Sequence, residues 1–481
     1  MESVRSAWKA GLLTSAVWIS AIAGSPALAE ELPADAAALD ADSGGDMDIV
    51  VTARRRAESA QSVPDSIQAF SAEAISARGL TKIDAVASST SNLFIVQDQD
   101  PGTNVITIRG ITTNRNQPGS VAFVVDDVTV PDSDGFEREL FDIERIEVLK
   151  GSQGALYGKG AIGGVINIVT RKPGNAFAGS ATVSHGSGDL KVARASFGGP
   201  LVADHLFFQL SGSYRDYDGQ IRNTTLDQHV DFLRNKDVRG RLIWTPSPSW
   251  SLDLRASYSD ESGGAAYFSA ADLFNTAPGG RVGEDQLVNP RGDFLGTQTR
   301  KLADFSIKSD HDSDWGRFTS ITAYNEIDKF FIGDLDNTPL ALIQPASQKL
   351  DLKAWSQEFR LVSPADRKFS YIVGAFYQET DRRFTQAIDG FDVGFFGFVP
   401  GLPIGVPSGI IVPFPSLTTD GAFKQWAVFG QSGLSLGSAT ELTVALRYDR
   451  ETRRQASGRI DEATFDAFQP KLSLSHKFSD D

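Results

Sequence analysis

The sequence predicts an all-β, antiparallel, membrane-crossing sheet over its C-terminal two thirds, behind an N-terminal module of different composition. Three observations carry this. Of 31 Phe, 9 Tyr and 7 Trp residues, only eight precede residue 174, and the chain holds 45 glycines, a composition suited to extended strands after that point. Short runs of period two recur from about residue 178. The connections between those runs alternate between short and long.

The elements follow in order. Arg5 and Lys9 precede the uncharged stretch Ala10 to Ala23, and Ala27-Leu28-Ala29 then forms an A-x-A cleavage site before Glu30. That is the pattern of a secretory signal peptide over residues 1–29. Its apolar core is too short for a bilayer of about 30 Å. Residues 30–47 carry Glu30, Glu31, Asp35, Asp40, Asp42 and Asp46 among Ala, Ser and Gly, and read as a disordered acidic linker. Residues 48–53, Asp48-Ile49-Val50-Val51-Thr52-Ala53, are a short β-branched run able to add as an edge strand to a partner sheet. Val393 to Pro415 is uncharged but contains Pro400, Pro403, Pro407, Pro413 and Pro415, so it is an apolar loop and not a helical span.

About twelve strands are expected: 178–185, 191–198, 205–216, 238–245, 251–260, 302–310, 316–330, 353–363, 369–382, 424–436, 441–452 and 470–479. Phe208, Leu210, Gly212 and Tyr214 alternate with Gln209, Ser211, Ser213 and Arg215. Leu442, Val444, Leu446 and Tyr448 alternate with Thr443, Ala445, Arg447 and Asp449. An apolar exterior and polar interior mark a lipid-facing barrel, and the same alternation turned inward would make a soluble sandwich. The connections separate the two. Those at 199–204, 246–250, 311–315, 364–368 and 437–440 are short, and those at 217–237, 261–301, 331–352, 383–423 and 453–469 are long. Trp244, Trp250 and Trp315 border the short turns, where an interfacial aromatic girdle belongs.

The sharper motifs lie earlier. They are Val63-Pro64, Arg109-Gly110, the run Val121 to Val130 around Asp126-Asp127, and Glu144-Arg145-Ile146-Glu147-Val148-Leu149-Lys150-Gly151. Gln153-Gly154-Ala155-Leu156-Tyr157-Gly158 and Ala161 to Thr170 follow. Together they resemble the plug domain of TonB-dependent outer-membrane receptors of the siderophore type, motif by motif over about residues 48 to 174. Ser152 stands where that family usually has Pro, and Asp127 where Gly is usual in a turn. The resemblance implies a mixed α+β plug over 54–174. Residues 175–481 would then be the N-terminal part of a transmembrane antiparallel β-barrel, with about 12 of an expected 22 strands present. It further implies that Asp48, Ile49, Val50, Val51, Thr52 and Ala53 form the TonB box, through which the energy-transducing inner-membrane complex acts.

Candidate ligand contacts are the turns between plug strands: Asp98, Gln99 and Asp100 at one apex, Arg115, Asn116 and Gln117 at another. The apolar loop Phe391 to Phe414 either closes over a ligand or packs on its neighbours. Arg109, Glu144, Glu147 and Lys150 are candidates for ion pairs that latch plug to barrel, and the resemblance favours Arg109 and Glu147.

Composition excludes several functions. The net charge of −15 gives no basic face for nucleic acid. No cysteine means no disulfide and no thiolate nucleophile. Gly158-Lys159-Gly160-Ala161-Ile162-Gly163 fits a dinucleotide pattern but runs into a strand-like stretch, not a helix. No hydrolase motif is present, so no enzyme activity, cofactor or resident metal site is expected. The five histidines lie outside the plug and no cluster could hold a bare metal, which favours a cargo arriving as a complete ferric chelate. Vitamin B12, an oligosaccharide, or a non-transporting truncated remnant are the alternatives. The chain stops at Ser479-Asp480-Asp481 without a terminal aromatic, so truncation within the barrel is expected.

Overall fold

The computed structural model describes residues 50–478, except 53–54, 57, 61–62, 64, 98–103, 114–118, 269–288, 365–366, 395–400, 402–407, 438 and 458–459. The signal peptide and acidic linker lie outside the described residues. Residues from Asp48 onward form one compact unit.

The plug begins with β1 (Val50–Val51), paired antiparallel to β2 (Glu58–Ser59). It continues with β3 (Ser66–Ser71), α1 (Ala72–Ala77), α2 (Ile83–Ser88), β4 (Leu93–Gln97), β5 (Asn104–Ile108), β6 (Ile111–Thr112), β7 (Val121–Val125), β8 (Val128–Thr129), β9 (Ile143–Lys150), α3 (Gly154–Tyr157) and β10 (Gly164–Thr170). Its main sheet has the order β3-β9-β10-β7-β8, with β10 parallel to β7 and the other pairs antiparallel. Strand β4 pairs with β5, and β5 with β6, in a separate three-stranded sheet. Ser71 caps α1, its side chain accepting the Ala74 N–H at 3.3 Å. The apolar faces of both sheets and both helices meet in one core built on Phe70, Ile83, Ile106, Phe123, Ile146 and Ile166. The dinucleotide-like glycines lead into β10, a strand whose residues are all buried.

Twelve strands then form one antiparallel sheet in sequence order. They are β11 (Ala178–Gly186), β12 (Leu190–Val202), β13 (Leu206–Tyr217), β14 (Leu233–Ser247), β15 (Trp250–Gly264), β16 (Thr297–Ser313), β17 (Gly316–Gly333), β18 (Ala346–Val362), β19 (Phe369–Ile388), β20 (Leu417–Ser435), β21 (Thr440–Ala456) and β22 (Ile460–His476). The sheet is not closed: β11 and β22 are each paired along one edge. Each expected strand has its counterpart, in order. The alternation holds as well. Leu210, Trp355 and Leu446 face outward and exposed, while Gln209, Glu358 and Arg447 are buried against the plug. Trp244 and Trp250 pack together beside a short turn, ring centroids 5.6 Å apart. No helix among the described residues is long and apolar enough to cross a membrane. The architecture is that of an outer-membrane barrel sheet, whose strands do the crossing.

Three details differ from expectation. Most strands extend farther on the long-loop side, because ladder pairing continues through polar stretches such as Asp260 to Gly264 opposite Thr297 to Lys301. The connection expected over 453–469 shrinks to 457–459, since Ile460 to Phe468 joins β22 and pairs with Tyr448 to Ala456. Small hairpins also fold inside two long loops, pairing Arg222–Asn223 with Gln228–His229 and Phe391–Asp392 with Ile411–Val412.

Candidate functional site

The described part of the segment expected to couple, residues 50–52, is held against the plug. Val51 is 1% exposed, and its strand β1 is closed by β2. The next residue is clasped by β9, an inner strand of the plug sheet. The Thr52 backbone N–H donates to Glu147 Oε1 at 2.9 Å and its hydroxyl donates to the same oxygen at 3.2 Å. Arg145 supports both partners, Nε reaching Glu147 Oε1 at 2.7 Å and Nη2 the Thr52 hydroxyl at 2.9 Å. Asn167 Nδ2 donates to Glu147 Oε2 at 3.0 Å. Glu147 is wholly buried because β9 lies between β3 and β10, and a carboxylate there requires this full set of donors.

The chain turns sharply after the clasp. The Arg55 N–H donates to the Thr52 carbonyl at 2.8 Å, and Arg55 has φ of 63°, a left-handed conformation uncommon for any residue but glycine. Its guanidinium lies 4.4 Å over the Tyr157 ring and donates to Asp127 Oδ1 at 3.1 Å and Glu358 Oε2 at 3.3 Å. Asp126 and Asp127 occupy the two central positions of the β7–β8 hairpin with φ of 49° and 73°, as a type I′ turn requires. The turn expected there is present, and the aspartate where Gly is usual has a structural use. Asp127 Oδ2 accepts Lys308 Nζ at 2.6 Å, and Arg360 stands 3.5 Å from Oδ1. Burial alone would raise the Asp127 carboxyl, but Lys308, Arg360 and Arg55 hold it well below the usual carboxylate range.

The ion pairs joining plug to sheet mostly set plug carboxylates against cations of the inner wall. Glu139 meets Arg215 at 2.5 Å and Arg194 at 3.0 Å; Asp134 meets Lys329 at 2.8 Å. Asp65 meets Lys471 at 2.8 Å, and Asp132 meets Arg382 at 3.5 Å. The four residues expected to latch plug to barrel sit elsewhere. Glu147 serves the clasp, Glu144 pairs with neighbouring Arg145, and Lys150 Nζ donates to Gln68 and Ser91 within the plug. Arg109 is exposed and makes no ion pair among the described residues. Strand β9 lies inside the plug sheet, so its side chains find partners there before any reach the wall.

On the far side of the plug, α3 docks on the last strands. Gly158 has φ of 79°, and a Cβ there would meet the Arg447 guanidinium at 2.9 Å. Arg447 in turn pairs with Asp449 at 2.8 Å and donates to the Leu156 carbonyl. These glycines therefore allow close approach to the wall.

The apex residues Asp98, Gln99, Asp100, Arg115, Asn116 and Gln117 lie outside the described residues, as do Asp48, Ile49 and Ala53 of the box. Strands β4 and β5 pair up to Gln97 and Asn104, on either side of the first apex. In the apolar loop, the Asp392 carboxylate accepts the Gly394, Ser408 and Gly409 N–H groups and the Ser408 hydroxyl. Burial opposes its charge, yet these donors hold its pKa down at about 2. Ile410, Phe414 and Leu417 stay exposed beside it.

Residues 59–165 match the family model described as TonB-dependent Receptor Plug Domain. The ferric enterobactin receptor PirA of Pseudomonas aeruginosa is 35% identical over 133 residues, 24% of this chain and 18% of that protein. The iron-regulated outer membrane virulence protein of Vibrio cholerae is 33% identical over 234 residues, covering 44% of this chain and 34% of its own length. Among solved structures, the ferric yersiniabactin uptake receptor FyuA from Yersinia pestis superposes with a TM-score of 0.70 at 20% identity, covering 87% of this chain and 63% of that one. The ferripyoverdine receptor of Pseudomonas aeruginosa gives 0.70 at 17% identity, over 90% and 57%. The chain thus spans well under half the length of these curated relatives, and under two thirds of these solved chains.

Proposed function

We propose, from the premise that the chain belongs to the TonB-dependent outer-membrane receptors, that it takes up a ferric siderophore-type chelate by releasing its stowed coupling segment to TonB. One observation carries this reading: among the described residues, the β-branched strand Val50–Val51 is held by a short ladder to β2 and the next residue by its bonds to Glu147 and Arg145, while the plug behind it is fixed to the wall by ion pairs. A receptor in the outer membrane has no nucleotide to spend, so its work must arrive as force on a tethered strand. A segment that pairs with β2 at rest can exchange that partner for an edge strand of the inner-membrane complex, because β-augmentation uses the same backbone groups. Ligand arriving at the plug apices and long loops from outside then meets a plug whose release is controlled from inside. The relatives whose names state a ferric siderophore cargo support the chelate assignment over vitamin B12 or an oligosaccharide.

Val51→Pro tests the coupling. Proline removes the donor and fixes φ in the paired strand. Binding of ferric catecholate and hydroxamate chelates should persist while accumulation of radiolabelled iron falls to the level of a TonB-deficient strain. Normal accumulation in the variant would show that residues 48–53 are not the coupling element.

A further inference from the structure

The plug hairpin β7–β8 faces the wall across a cavity of about 60 Å³. Val125, Val128 and Val130 line it from the plug, and strands β14 to β17 line it from the wall. Four guanidinium groups reach it, those of Arg138, Arg239, Arg241 and Arg255, against two carboxylates, Asp126 and Asp304.

Both acids are fully engaged. Asp126 Oδ1 accepts the Thr170 N–H at 2.9 Å and Oδ2 the Thr170 hydroxyl at 2.6 Å, with Arg255 3.8 Å away. Asp304 pairs with Arg138 and also accepts Asn325 Nδ2 at 2.7 Å and the Ser257 hydroxyl at 3.0 Å. A third carboxylate, Asp253, pairs with Arg241 at 2.7 Å and with Arg255. Three acids thus serve three of the four cations.

Arg239 is the fourth, and it forms no ion pair among the described residues. Its Nη1 donates to the Phe141 carbonyl at 3.0 Å, and its guanidinium lies 4.6 Å over the Phe141 ring. Neither contact supplies a negative charge. The other acids near it are turned elsewhere. Asp142 accepts Gln209 Nε2 at 2.9 Å and stands 3.6 Å from Arg171. Asp237, two residues before Arg239 on the same strand face, does not line the cavity and forms no ion pair.

We propose that this cavity binds a chloride ion, which serves as the counter-charge of Arg239 and fastens the plug hairpin to the wall. The charge to be met is a single one. A guanidinium beside valines without a counter-charge is costly, and the same low-dielectric lining strengthens its attraction for a monovalent anion. The space suffices, since a water-sized body needs about 10–15 Å³. A phosphate or carboxylate would need a ring of donors for its several oxygens. The cavity offers the remaining N–H groups of Arg239 and the Ser306 hydroxyl, which suits a monatomic anion without directional lone pairs.

The consequence has a sign opposite to that of ordinary ion pairs. Pairs such as Asp65 with Lys471 weaken as salt rises, because mobile ions screen them. A chloride bound only when the hairpin is docked stabilises docking by mass action.

Hydrogen exchange of the full chain in outer membranes tests this, with chloride titrated against gluconate at constant ionic strength. Protection of the peptide spanning Val121–Thr129 should rise about tenfold when chloride exceeds its dissociation constant by about ten. The peptide spanning Ile83–Gln97, which does not line the cavity, should not change. Arg239→Gln should abolish the chloride response, whereas Arg239→Lys, which keeps the charge, should retain it. A flat titration, an equal rise in both peptides, or an undiminished response in Arg239→Gln overturns the site. A variant that fails to fold loses protection throughout the plug and is recognised by that, and the native titration still decides. The measurement needs neither TonB nor cargo, so its outcome is independent of the uptake reading.

Discussion

Glu147→Gln should loosen the clasp on the coupling segment while leaving the plug folded. The glutamine is nearly isosteric, and its carbonyl oxygen can occupy the place of Oε1, which accepts the Thr52 N–H, the Thr52 hydroxyl and Arg145 Nε. Its amide can face Asn167, whose own amide reverses to accept. What is lost is charge. Hydrogen bonds to a charged group contribute about 1.5–3 kcal/mol and neutral ones about 0.5–1.5, so each bond weakens by about 1 kcal/mol. Two of the three bonds go to Thr52, which puts the loss of hold at about 2 kcal/mol and the rise in released segment near 30-fold. Hydrogen exchange of the peptide spanning Thr52 measures this directly, since its amide must leave Glu147 to exchange. Protection at Thr52 should fall by about that factor while β7 and β10 keep theirs. Unchanged protection at Thr52, or an equal fall throughout the plug, would refute the clasp as the site of hold.

Further expectations follow from single contacts. Glu139→Gln leaves Arg194 and Arg215 facing a neutral amide in a buried site, and should cost about 3–5 kcal/mol of plug docking, read by denaturant unfolding in detergent. Burial would raise the Glu139 carboxyl, but Arg215 and Arg194 hold it below its ordinary value. The native stabilisation is therefore present above the ordinary carboxylate pKa and lost as pH falls through the depressed one. Asp334, in the loop after β17, behaves oppositely. Burial first, then Asp336 and Asp293, push it up to about 6, against the opposing Asn337 N–H. That loop should be steadiest below about pH 4 and loosen as pH rises through 6, and Asp334→Asn should abolish the dependence and stabilise it by about 2 kcal/mol at neutral pH, followed by exchange of peptides 334–342. Protein recovered from outer membranes should begin at Glu30 on N-terminal sequencing, and intact Met1 would end the export argument.

The strands were legible because their information is local. Leu252 to Ser259 or Leu442 to Asp449 state their own faces, and a tryptophan beside a turn marks a membrane border without reference to the rest of the chain. The plug-to-wall pairs were not legible, because each joins residues far apart in sequence: Asp65 and Lys471, or Asp134 and Lys329. Nothing near Lys150 tells that Gln68 and Ser91 will take its ammonium. Signals for the missed residues did exist. Arg54-Arg55-Arg56 follows the box directly, and Asp127 replaces an expected glycine in a turn that glycine suits better. A residue that costs conformational ease at such a place has a side chain with work elsewhere, here at Lys308, Arg360 and Arg55. The last long loop was misjudged because Ile460 to Phe468 carries too many charges and small residues to read as a strand, although above the bilayer it needs only ladder partners.

Strand length sets how far from the cell a ligand is first met. Strand β19 has 20 residues. At about 3.3 Å per residue and a tilt near 45°, a strand that long rises about 45 Å, against an apolar band of about 25 Å. The tryptophans beside the short turns fix one border of that band, so the excess of about 20 Å stands entirely on the other side. The loop at 334–345 and the hairpin of Phe391–Asp392 with Ile411–Val412 are thus carried on a stiff collar clear of the lipid headgroups, with Phe391 and Phe414 near its rim. On the proposed function, a bulky molecule would be moored there, out in the medium, before any of it reaches the plug below.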